Sequence, residues 1–138
     1  MTILTNPDDT YEHVCASDRE LPIDDLHRTV YLLAALSGRQ ETAIMNAVGA
    51  AKDHTMGTVM SEIARLACRG WSNLHDAAGL VEFRPASKAQ QRVLGIAVPE
   101  CCDPELWERL PFAQRRELAE QVLLRIQSGL SETDRKNS

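Results

Sequence analysis

Four cysteines and four histidines are the residues of this 138-residue chain with the most chemistry to offer. Their closest groupings are His13-Val14-Cys15 and the adjacent Cys101-Cys102. A tetrahedral zinc site takes four converging ligands, usually delivered as spaced pairs. There is no Cys-x-x-Cys, so the sequence leads us to expect neither a metal nor a cofactor. Cys101-Cys102 suits a structural bridge poorly, and Cys68 falls in a helix-periodic stretch as a small hydrophobe. Reduced thiols in a cytoplasmic protein are the expectation. No Gly-x-Ser-x-Gly elbow accompanies a nucleophile, and the seven glycines stand singly rather than in a phosphate-cradling loop. Asp8-Asp9 and Asp24-Asp25 are paired only along the chain. A non-enzyme is therefore expected.

A polar stripe with helical spacing offers different chemistry. His54, Thr58, Ser61, Arg65 and Arg69 recur every three or four residues, opposite Met56, Val59, Ile63 and Leu66. Short polar and basic side chains on one helix face suit the major groove of double-stranded DNA. Thr58, Ser61 and Arg65 would read it. His54 and Thr55 sit where helix N–H groups favour phosphate, and Lys52, Arg84, Lys88 and Arg92 would add phosphate contacts. Glu62 lies beside the stripe and would repel phosphate.

Charge distribution agrees weakly with that reading. The net charge of −5 divides into −6 over residues 1–26, +3 over 27–99 and −2 over 100–138. Strong nucleic-acid binders are usually far more basic.

The elements expected to hold the stripe follow from periodicity. Residues 1–21 are acid-rich and aperiodic, and read as a flexible arm. Pro22 opens a helix with Asp24 and Asp25 in its first turn, carrying Ile23, Leu26, Val30, Leu33 and Leu36 and closed by Gly38. Further helices are expected over 40–51 and 55–69. Leu80–Arg84 and Arg92–Val98 read as a β-hairpin, with helix as the competitor for the second segment. Asp103-Pro104-Glu105 is a helix start. Pro111 opens a last helix that Gly129 should end, leaving 131–138 as a disordered tail.

Three helices, a hairpin and C-terminal helices are the order of a winged helix-turn-helix. The phrase Val59-x-x-x-Ile63-x-x-Leu66-x-x-x-Gly70 resembles the recognition helix of bacterial winged helix-turn-helix regulators, and Ala78-Gly79-Leu80-Val81 resembles the entry to their wing. The resemblance covers residues 24–98. Thr55-Met56-Gly57-Thr58-Val59-Met60-Ser61-Glu62-Ile63-Ala64-Arg65 also resembles the second helix of ribbon-helix-helix antitoxins. Here Leu36–Gln40, where that family places its DNA-reading strand, lacks the alternation of a strand.

The expected fold is thus mainly α: a three-helix core with a hairpin wing over 22–99 and a helical interaction or dimerisation element over 100–130. The expected function is a small DNA-binding regulator, a homodimer by its C-terminal helices. Trp107, Val122, Leu123 and Ile126 would form the interaction face. The alternative is a helical protein-interaction module, antitoxin-like or an adaptor, that docks a protein partner. The longest apolar run, Val30–Leu36, is too short for a bilayer span of about 20 residues, so no membrane partner is expected.

Overall fold

The computed structural model describes residues 9–137. Three strands form an antiparallel sheet in the order β1-β2-β3: β1 (Thr10–His13), β2 (Val30–Ala34) and β3 (Cys68–Ser72). Two helices lie between β2 and β3 in sequence, α1 (Gly38–Ala50) and α2 (Met56–Ala67). Two small ribbons follow, β4 (His75–Asp76) with β5 (Gly79–Leu80) and β6 (Arg92–Val93) with β7 (Ile96–Ala97). The chain then enters α3 (Pro104–Glu108) and α4 (Phe112–Asn137).

This mix of helices and small sheets overturns the expected three-helix core with a wing. The central strand β2 takes the place of the first expected helix. Tyr31 and Leu33 are buried while Val30 and Leu32 are half-buried, a period of two rather than 3.6. Val30 and Tyr31 favour strand through their branched and aromatic side chains. Pro22, Asp24 and Asp25 mimic a helix start but build turns instead. The strand pairs on both edges, with Tyr31 opposite His13 of β1 and Trp71 of β3.

Part of the expected arm is therefore structure: β1 is an edge of the main sheet. Residues 1–8 of that arm lie outside the described residues, as does Ser138. Gly38 opens α1 rather than closing a helix. Ser37 is the N-cap: its Oγ accepts from the Gln40 N–H, and Gln40 Oε1 accepts from the Ser37 N–H. The expected hairpin partners do not pair. Gly79–Leu80 goes to His75–Asp76, and Arg92–Val93 turns back on Ile96–Ala97.

The C-terminal helices start where the sequence says. Asp103 Oδ1 accepts from the N–H groups of Glu105 and Leu106, with Pro104 in the first turn of α3. Leu118, Ala119, Val122 and Ile126 form the buried stripe of α4, which packs on α2. The helix continues through Gly129 to Asn137. A glycine inside a helix costs about 1 kcal/mol relative to alanine, which need not terminate a helix of this length.

Candidate metal centre

Glu117 stands one residue before the buried stripe of α4, at the border between core and water. From there its carboxylate meets the end of β1. His13 is the last residue of that strand and buried. Cys15 follows two residues on in extended backbone and is also buried. His13 Nε2–H donates to Glu117 Oε2 at 2.6 Å. The Cys15 Sγ lies within 4.8 Å of the same carboxylate. The ligand atoms of the three residues all lie within 4.8 Å of one another, and among the described residues no other group of three His, Cys, Asp or Glu converges in this way.

Neighbouring contacts hold Glu117 in place. The Ala16 N–H, at the start of the 3-10 turn Ala16–Asp18, donates to Glu117 Oε1 and Oε2 at 3.0 and 3.2 Å. One helical turn earlier, Gln114 Oε1 accepts from the Tyr31 hydroxyl at 2.6 Å. Tyr31 is the β2 residue opposite His13. Two neighbouring tethers therefore run from the sheet to α4. Arg19 Nη2 approaches the carboxylate to 3.8 Å from the solvent side, while Arg19 Nε–H donates to the Val14 carbonyl.

These surroundings set the protonation of the group. Burial pushes the Glu117 carboxyl up, but the Ala16 N–H, His13 and Cys15 more than offset it and hold it below the ordinary glutamate value. Burial, reinforced by the neighbouring carboxylate, pushes the Cys15 thiol up to about 12. With no ion bound, Cys15 is thus a neutral thiol at pH 7 and a poor nucleophile. A nitrogen, a sulfur and a carboxylate oxygen are nonetheless the donor types zinc takes, at about 2.0–2.3 Å from the ion. Tetrahedral bonds of that length separate donors by about 3.3–3.8 Å. The ligand atoms, 2.6 Å apart for His13 and Glu117 and within 4.8 Å of one another throughout, bracket that spacing.

The stripe expected to read DNA divides in two. Lys52 and His54 are exposed in the α1–α2 turn, and Thr58 is exposed on α2. Thr55 is half-buried, its Oγ1 accepting from the Lys52 N–H. Ser61 and Arg65 are buried, so the reading role assigned to them is not available at the surface. Arg65 Nη1 donates to the Cys102 carbonyl at 3.1 Å, Nη2 to the Arg92 carbonyl at 3.4 Å, and Nε to Glu62 at 2.9 Å. Ser61 Oγ accepts from Arg115. The physical reason is coverage: the segment from Arg92 to Trp107 and helix α4 close over this side of α2.

The other expected phosphate contacts lie on the later loops. Arg84 is exposed and paired with Asp103, Lys88 is exposed in a 3-10 turn, and Arg92 donates to the Gly95 carbonyl. The expected interaction face is largely core. Trp107, Val122 and Ile126 are buried and Leu123 is half-buried, with the Trp107 indole N–H donating to the Ser61 carbonyl at 3.0 Å. Sequence reasoning noted His13-x-Cys15 but missed Glu117, whose partner stands 104 residues away. Comparison with protein-family models, curated proteins and solved structures finds no match to this chain.

Proposed function

We propose that this protein is a metal-binding module of the zinc class, in which His13, Cys15 and Glu117 hold a divalent ion between the N-terminal strand and the C-terminal helix. The observation that carries the proposal is the convergence of three different ligand types from two distant segments, two of them buried. His13 would supply Nε2 once its ring proton has moved to Nδ1 by exchange with solvent, Cys15 would supply Sγ after releasing its proton to solvent, and Glu117 would supply a carboxylate oxygen. Three protein ligands leave a fourth position for water or another small ligand. Because two ligands come from the β1 end and one from α4, the ion acts as a clip that stabilises the fold. A ligand at a hundredfold excess over its Kd contributes about 2.7 kcal/mol of stability.

Cobalt(II) is the probe. The expected result is a thiolate-to-cobalt charge-transfer absorption with tetrahedral d–d bands, displaced by zinc. Cys15→Ser should remove the charge-transfer band, and Glu117→Gln should weaken cobalt affinity at least tenfold. Zinc should raise the Tm of the wild type but not of Cys15→Ser. No cobalt spectrum at millimolar ion, with a Tm indifferent to zinc and to chelator, would overturn the proposal. Glu117 would then serve only as a cap for the Ala16 turn.

A further inference from the structure

The segment joining β1 to β2 presents two aliphatic side chains to water on an ordered backbone. Ile23 is 87% exposed and Leu26 71%. Full burial of such a side chain is worth about 1.5–3 kcal/mol, so both are left where a partner could cover them. The segment is built from successive turns. The Leu21 N–H donates to the Asp18 carbonyl, Asp25 to Pro22, and Arg28 to Asp25. Asp18 Oδ2 accepts from the Thr29 N–H and ties the two ends together. Glu20, Asp24 and Asp25 are the acidic neighbours of these two residues along the chain.

A groove of about 610 Å³ elsewhere on the molecule has the opposite character. One wall is the face of α1 that carries Arg39, Thr42, Asn46 and Ala47; the other is Leu94 and Ile96 of the β6–β7 ribbon. Arg39 is the charged residue of the lining. Leu94 is held at φ 53. Leucine is disfavoured in that left-handed region, where asparagine or glycine is at ease. An apolar residue kept in a strained turn, against the groove, points to a use other than the turn itself.

From this complementarity we infer that the Ile23–Leu26 loop of one copy of the chain docks in the α1–ribbon groove of a second copy, aliphatic side chains against Leu94 and Ile96 and acids against Arg39. The inference is independent of the metal reading. It also differs from the sequence expectation of pairing through the C-terminal helices, whose apolar stripe is already buried.

Sedimentation velocity over a concentration series, run on the full chain, tests it. The wild type should self-associate, and Ile23→Asp with Leu26→Asp should be monomeric with an unchanged Tm. Leu94→Asn relieves the turn, so it should keep or raise the Tm while weakening association at least tenfold. Arg39→Glu should weaken it too, and mixing that variant with Asp24→Arg/Asp25→Arg should restore binding between the two. A wild type that stays monomeric throughout overturns the inference. So does association untouched by the loop changes, or lost in them yet indifferent to Leu94→Asn and Arg39→Glu.

Discussion

Arg65 and the His13–Cys15–Glu117 group are both polar side chains drawn into the interior of a small protein, and they are satisfied in opposite ways. Arg65 spreads its guanidinium outward over separate partners: two backbone carbonyls from the Arg92–Cys102 region and Glu62 on its own helix. Each donor has its own destination, and no common point remains where a further atom could bind. His13 and the Ala16 N–H instead both donate to one carboxylate, and the Cys15 Sγ lies within 4.8 Å of it. Donor atoms that converge leave a centre where one ion can replace protons. The difference separates a side chain used to hold loops on a core from side chains available to a ligand.

The largest test of the first arrangement is Trp107, which fills the core beside Arg65's helix and donates to Ser61. Trp107→Ala should cost about 3–5 kcal/mol of stability, read by denaturant unfolding. A change below about 1 kcal/mol would return Trp107 to the role of a surface anchor. Arg65 comes next. Arg65→Ala should cost about 2–4 kcal/mol by leaving buried carbonyls without donors. Arg65→Lys should recover little, since one ammonium cannot serve three directions. Neither change should alter the cobalt spectrum. If Arg65→Ala bound cobalt differently at full folding, the two regions would be coupled and the contrast drawn too sharply.

The smallest effect concerns Asp103, which caps α3 and pairs with Arg84. Burial raises its carboxyl, but Arg84 and the Leu106 and Glu105 N–H groups hold it below the ordinary value. A carboxylate depressed in the folded state contributes stability above its unfolded pKa, and that contribution disappears as pH falls through the folded value. Asp103→Ala should therefore cost about 1 kcal/mol at pH 7. The cost should vanish in acid, well below pH ~4. A cost independent of pH would assign the effect to packing rather than to charge.

The sequence made local structure legible wherever a few neighbouring residues decide it. The 55–66 stripe, Asp103-Pro104 and the start of α4 all depend on contacts within one or two turns. The central strand was not legible because Leu26, Val30 and Leu33 also fit a helical spacing. What makes Val30–Ala34 a strand is pairing with β1 and β3 on both sides, a tertiary fact. Polarity misled at Ser61 and Arg65 for a related reason. A polar stripe marks where water or polar partners lie, and here the partners are carbonyls and Arg115. The candidate centre was half legible. His13-x-Cys15 on an extended backbone places two ligands on one side, but nothing near Glu117 announces its partner across the fold.

All four cysteines are buried, at three places in the molecule: Cys15 beside α4, Cys68 at the start of β3, and Cys101 and Cys102 against Arg65. Burial raises every one of these thiols, three of them to about 12. A thiol reagent in solution therefore meets almost no reactive sulfur until the chain opens. Labelling then becomes a clock for opening rather than a map of the surface. Because the cysteines sit on separate joints of one small fold, the order in which they are labelled would show which joint parts first. The protein carries its own set of time stamps for coming undone.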